Sequence, residues 1–178
     1  MDKILSLPTK QISYKIREAT IDDMKFVTGI YAHHVVSSTA SFELVPPSIR
    51  QIKRTFQEIN QSDLPYLVAE AGNKILGFCY AASYRSRPAY KFTVENSVYI
   101  APNNEGLGVG TSLLTVLLNK LGNGDFKTVV AVIGDSGNLA SIRLHKKCGF
   151  AEVGVLKSVG FKFGHWVDTV IMQRVLGA

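Results

Sequence analysis

Residues 93–111 read TVENSVYIAPNNEGLGVGT. Thr93, Val94, Val98, Tyr99 and Ile100 are strand formers and predict a long strand over 92–101. Pro102 has no N–H to give and ends it. Asn103 to Gly110 forms a Gly-rich turn, and 111–121 is a strongly apolar helix closed by Gly122. A strand that runs through glycines into a helix brings bare backbone and free helix N–H groups to one spot. Such a turn suits an anion, a pyrophosphate in particular. A purely structural turn is the other reading that these residues allow.

Two nucleotide-binding patterns fail on this stretch. A phosphate-binding P-loop needs Gly-Lys-Ser/Thr at its end, and Gly110 is followed by Thr111-Ser112. A dinucleotide fingerprint needs G-x-G-x-x-G, whereas Gly106, Gly108 and Gly110 fall as G-x-G-x-G. The turn also comes after several strands, not after the first.

Upstream, Ile12 to Ala19 alternates as a first strand, and Thr20-Ile21-Asp22-Asp23 is a capping box with Asp in the fourth place. Met24, Val27, Ile30, Tyr31 and His34 recur at helical spacing to about Val36. A loop with Phe42 leads through Pro46-Pro47 into a second helix over 48–60. Strands over 66–70 and 75–84 flank the hairpin turn at Gly72-Asn73, and an Arg- and Tyr-rich loop, YRSRPAYK, spans 84–91.

Downstream, 127–133 is a buried strand and 138–148 a helix, with Gly149 at its end. Three closing strands are expected over 150–155, 158–163 and 166–175. The sum is an α/β fold: a mixed, mostly antiparallel twisted sheet of about seven strands, flanked by about four helices.

The 178 residues suit one domain, assigned to 11–178. Met1 to Lys10 lacks a long apolar run and a cleavage pattern, so a disordered extension is expected there and not a signal peptide. No stretch is long and apolar enough for a membrane helix, and no membrane partner is expected. Cys79 and Cys148 are too few for a disulfide scaffold and too far apart in sequence for a typical metal site. Two buried free thiols, a cytoplasmic location and no metal are expected. The formal net charge of +6 permits a polyanionic partner, but the cations scatter without a run, which argues against nucleic acid.

Glu105-Gly106-Leu107-Gly108-Val109-Gly110 resembles the phosphate-binding turn of the GNAT superfamily of acyl-CoA N-acyltransferases, Gln/Arg-x-x-Gly-x-Gly/Ala. Glu105 departs from it, with an acid in place of Arg or Gln. A second element in order, Asn138 to Phe150, is similar to that family's Asn-x-x-Ala-x-x-Leu-Tyr-x-x-x-Gly-Phe, with Ser141 for Ala and His145 for Tyr. From about Tyr14 to Leu176 the chain resembles the phosphinothricin and methionine-sulfoximine/sulfone N-acetyltransferase branch. The segments that carry this are 16–24, 93–99, 126–134, 141–145 and 160–168; His in place of Tyr is usual in that branch.

The resemblance implies acetyl-CoA as co-substrate, a small amino-acid-like amine as acceptor, and a homodimer with a seam near Trp166. It places a catalytic carboxylate at Glu95, to act as general base on an amine that is largely protonated at neutral pH. His145 is a candidate to protonate the leaving thiolate or to assist deprotonation. Val98, Tyr99 and Ile100 would pair with the pantetheine arm and supply an oxyanion donor. Gly106, Leu107, Gly108, Val109, Gly110 and Thr111 would cradle the pyrophosphate, and Asn138 would hold the arm from the far side. Lys120, Arg143, Lys146 and Lys147 are candidates for the 3′-phosphate. Arg85, Arg87 and Tyr90, with Phe42 and Lys162, would bind the acceptor, since arginine grips a carboxylate bidentately. His33, His34 and His165 read as surface or packing residues. A protein N-terminal acetyltransferase and a non-catalytic acyl-CoA-binding module remain as alternatives.

Overall fold

A computed structural model describes residues 12–177; the extension expected over 1–10 lies outside the described residues. The strands are β1 (Lys15–Glu18), β2 (Tyr66–Ala71), β3 (Lys74–Ser83), β4 (Thr93–Ile100), β5 (Thr128–Gly134), β6 (Ala151–Lys162) and β7 (His165–Val175). They form one sheet in the order β1-β2-β3-β4-β5-β7-β6. All neighbours are antiparallel except β4 and β5. The helices are α1 (Met24–Ser37), α2 (Ile49–Gln61), α3 (Val109–Gly122) and α4 (Leu139–Lys147). The α/β fold expected from sequence is the one observed.

Local chemistry sets the helix starts. The Asp23 carboxylate accepts the Thr20 N–H at 2.7 Å, which makes the Thr20–Asp23 capping box, and a short 3-10 turn precedes α1. Arg17 on β1 grips the same carboxylate with both terminal nitrogens, at 2.7 and 2.9 Å, and gives its Nε to Glu70 of β2. That clamp holds Asp23 at a pKa of about 2. Ser48 and Gln51 cap α2 reciprocally.

Helices α1 and α2 cover one face of the sheet, while α3 and α4 cover the other. Helix α3 is the core's main element, with Leu113, Leu114, Leu117, Leu118 and Leu121 all buried. Burial of each contributes roughly 1.5–3 kcal/mol. Cys79 and Cys148 are buried and free.

The closing region departs from expectation. Residues 150–155 and 158–163 were expected as two strands and form one, β6, broken in register between Glu152 and Gly154 and between Leu156 and Gly160. Asp168 of β7 causes the second break. Its carboxylate accepts the Ser158 N–H and the Lys157 ammonium, each at 2.9 Å, and Ser158 turns to φ 53°.

Candidate active site

Strands β4 and β5 pair only from Thr93–Thr128 to Asn96–Ala131 and then separate. Each half of the sheet stays intact, since β4 remains with β3 to Ile100 and β5 with β7 to Gly134. The result is a V-shaped gap in the middle of the sheet. Parity decides what faces it. The Thr93 carbonyl accepts from Tyr84 and the Ala101 N–H donates to Leu76, so odd-numbered residues of β4 spend their backbone groups on β3. Even-numbered residues point the other way. Beyond Asn96, those are Val98 and Ile100, whose N–H and C=O groups face the gap.

The Ile100 carbonyl accepts a hydrogen bond from His34 Nε2 at 2.8 Å, which fixes the proton on that nitrogen. His34 was expected to be a surface or packing residue, and instead it lines the cleft. The signal was present, because it falls on the same helical stripe as Val27, Ile30 and Tyr31.

The Gly-rich turn closes the wide end of the gap. Gly106 and Gly108 have φ of 75° and 80°, where only glycine is unstrained, and Gly108 is the N-cap of α3. The first N–H groups of α3, on Val109, Gly110 and Thr111, have no intrahelical partner. Gly110 serves packing: a Cβ there would sit 3.3 Å from Leu144 of α4.

A cleft of about 680 Å³ runs along gap and turn. It is lined by Val98, Tyr99, Ile100, Gly106, Gly108, Val109, Gly110, Thr111 and Asn138, nine of the ten cofactor positions expected from sequence. Leu107 differs, with its side chain packed on the core. Asn138 caps α4, its Oδ1 accepting the Ser141 N–H at 3.2 Å, which leaves its amide N–H groups for a ligand. Arg143 and Lys147 stand on the lining, as does the exposed Glu105. Lys120 and Lys146 pair elsewhere, with Glu18 at 2.7 Å and Glu152 at 3.3 Å.

Glu95 is half-buried on the α1 face of β4, the face of Tyr99, whose ring meets Tyr31 at 5.0 Å. Burial pushes its carboxyl above the ordinary carboxylate range, and the Arg85 guanidinium pulls against that. His145 is on the α4 face and is 4% exposed. Its Nδ1 lies 2.8 Å from the Ser141 carbonyl and its Nε2 3.0 Å from Asn96 Nδ2. Burial pushes the imidazole below the ordinary histidine value.

The residues expected to bind the acceptor divide. Arg85, Arg87 and Tyr90 are exposed on the loop between β3 and β4, and the Arg85 guanidinium lies 4.4 Å from the Tyr84 ring centre. The Phe42 ring packs over Gly160, where a Cβ would meet it at 2.5 Å. Lys162 has another use. It is 3% exposed, and its ammonium donates to the carbonyls of Ser38 and Ser41 at 2.9 and 2.5 Å. It thereby ties the α1–α2 loop to the β6–β7 hairpin. Thr39 of that loop donates to Asp135 at 2.9 Å. Ser38, Thr39 and Ala40 line the cleft.

Comparison with known proteins agrees with this geometry. The acetyltransferase (GNAT) domain family matches residues 16–171. A phosphinothricin N-acetyltransferase of Alcaligenes faecalis is 52% identical over 92% of this chain and 83% of its own length. An L-methionine sulfoximine/L-methionine sulfone acetyltransferase of Pseudomonas paraeruginosa is 34% identical over 91% of this chain and 94% of its own. The crystal structure of a GNAT superfamily phosphinothricin acetyltransferase from Sinorhizobium meliloti, in complex with AcCoA, superposes with a TM-score of 0.90 at 36% identity, over 93% of this chain and 90% of that one. On its fold, its cleft and these likenesses, the chain belongs to the GNAT acetyltransferase family.

Proposed function

We propose that the protein transfers the acetyl group of acetyl-CoA to the amine of a small amino-acid-like substrate of the phosphinothricin, methionine sulfoximine or methionine sulfone type. The observation that carries this is the gap between β4 and β5, where Val98 and Ile100 present backbone groups beside the glycine turn. Bound there, acetyl-CoA supplies an activated acyl group as a thioester. Val98 and Ile100 pair with the pantetheine arm as a neighbouring strand would. The N–H groups of Gly108, Val109, Gly110 and Thr111 and the N-terminal dipole of α3 receive the pyrophosphate, helped by Arg143 and Lys147.

Glu95, on the α1 side, takes the amine proton. Its raised pKa suits a base for an amine of pKa roughly 7.7–8. As the amine nitrogen bonds to the acyl carbon, the carbon–sulfur bond breaks. The Val98 N–H steadies the charge that develops on the carbonyl oxygen. His145, on the α4 side, is on the flank where the departing sulfur takes a proton. Arg85 and Arg87 hold the acceptor's carboxylate, with Tyr90 and Phe42 shaping the pocket. Lys162 supports that pocket through the loop it ties down.

The chain acts as a cytoplasmic homodimer in this reading. Exposed Leu156, Val159, Phe161 and Trp166 on the edge hairpin β6–β7 support the dimer, and the buried free thiols support a reducing compartment. A thiol-release assay with acetyl-CoA tests the function against phosphinothricin, methionine sulfoximine, methionine sulfone, free amino acids and an N-terminal peptide. Turnover of the first three is the expected result. Turnover of the peptide alone would replace it with protein N-terminal acetylation, and acetyl-CoA binding without any turnover would leave a binding module.

A further inference from the structure

Asn96 stands at the last paired position before β4 and β5 part, opposite Ala131. It is 5% exposed and lines the cleft. Its Nδ2 is 3.0 Å from His145 Nε2, while its Oδ1, buried, has no hydrogen-bond partner among the described residues. An orphaned buried acceptor is a standing penalty that few proteins retain without a use.

The proton positions follow from the neighbours. The Ser141 carbonyl can only accept, so His145 Nδ1 carries a proton. A neutral ring then has a bare Nε2, which accepts from the Asn96 amide. That assignment leaves Oδ1 as the unpaired atom, as observed. The surroundings hold the ring still. The Phe150 ring meets it edge-on at 5.0 Å from one side. On α4 itself Arg143, Lys146 and Lys147 are exposed and Cys148 is buried, and Asn96 of β4 is uncharged.

We propose that Asn96 is a positioning residue for His145: its amide N–H holds the neutral imidazole with Nε2 toward the cleft strand, and its carboxamide turns over to offer Oδ1 when Nε2 takes up a proton. One side chain then serves both protonation states of a buried ring, and the orphan oxygen is the second partner in waiting. The proton taken up at Nε2 comes from solvent, and the ring passes it to the thiolate as the carbon–sulfur bond breaks, with the Asn96 Oδ1 contact giving way as it leaves. This last step rests on the acetyl-transfer reading; the pairing itself does not.

Nitrogen-15 spectra of histidine side chains in the full chain test the pairing, with the His145 signals assigned by their loss in His145→Gln. Imidazole free in water prefers the Nε2–H tautomer, so a dominant Nδ1–H form at neutral pH is the expected and diagnostic result. The Asn96 side-chain amide signals should shift with the same midpoint as His145. Asn96→Asp, whose carboxylate only accepts, should raise the pH at which His145 loses its proton. Asn96→Leu should lower kcat about tenfold and displace the pH profile. A dominant Nε2–H form in the parent protein, or Asn96→Leu with unchanged kcat and pH profile, overturns the proposal. If Glu95→Gln keeps full activity, the base assignment falls, while the tautomer result stands or falls alone.

Discussion

Glu95 and Asn96 are adjacent on β4 and face opposite sides of the sheet: Glu95 joins the α1 layer, and Asn96 reaches His145 under α4. The two proposed proton-handling groups are therefore on opposite faces of the sheet. In the proposed reaction the acceptor enters from one face and the sulfur leaves on the other.

Glu95→Gln tests the α1 side. The substitution keeps the shape and removes the base, so kcat should fall by about 10²- to 10⁴-fold. Acetyl-CoA affinity should stay within about twofold, because Glu95 does not line the cofactor cleft. Steady-state kinetics and a direct titration with acetyl-CoA separate the two.

The pH profile carries a sign. A base must be ionised, and burial raises the pKa of Glu95 while Arg85 lowers it. Activity should fall as pH drops through that raised value. Arg85→Ala removes the opposing charge, so the acid limb should move to higher pH. A limb that stays in place would detach Arg85 from Glu95.

Glu105 stands on the cleft lining where the family's turn has Arg or Gln. Two like charges in water repel weakly. Glu105→Gln should tighten acetyl-CoA binding by about two- to fivefold at low salt, and the gain should shrink at high salt. Calorimetry at two ionic strengths checks both parts.

Lys162→Met leaves the carbonyls of Ser38 and Ser41 without their donor. Stability should drop by about 1–3 kcal/mol, read from denaturant unfolding. Because the freed loop roofs the cleft, KM for the amine should rise more than kcat falls. If Lys162 met the substrate directly, kcat and KM would change without a loss of stability.

The Arg17–Asp23 clamp predicts an acid transition. Asp23 has a pKa of about 2 in the fold against 3.8 for the free side chain. A depressed carboxyl pKa contributes stability above the unfolded value and loses it as pH falls toward the folded one. About 2 kcal/mol should disappear between about pH 4 and pH 2. Arg17→Leu should be less stable at neutral pH by a similar amount and flatter over that acid range, as melting curves against pH would show.

Much of this was legible in the sequence because local chemistry fixed it. The Thr20–Asp23 box, the glycine turn and the apolar α3 each depend on residues within one or two turns. The interruption near 156 was legible but not its form: the chain stays in one strand and shifts register, because Asp168 acts on Ser158 from β7. The tie that Lys162 makes was not legible for a like reason: the carbonyls that hold it lie in the α1–α2 loop, more than a hundred residues away. His34 was legible on its helical stripe, but beside His33 it read as a surface or packing residue. Asn96 carried no signal at all, since its partner is brought to it only by the packing of α4.

The parted strands have a thermodynamic consequence. Four residue pairs join β4 to β5 at the centre of the sheet, beside the packing of the helices and the ties of the α1–α2 loop. A molecule laid along the gap completes the sheet and binds only the folded chain. By mass action, co-substrate at a hundred times its Kd would add about 2.7 kcal/mol to folding stability, which thermal shifts with added acetyl-CoA would reveal. The lifetime of this protein in a cell would then follow the supply of activated acetate, with scarce co-substrate leaving the unladen enzyme the easier prey for proteases.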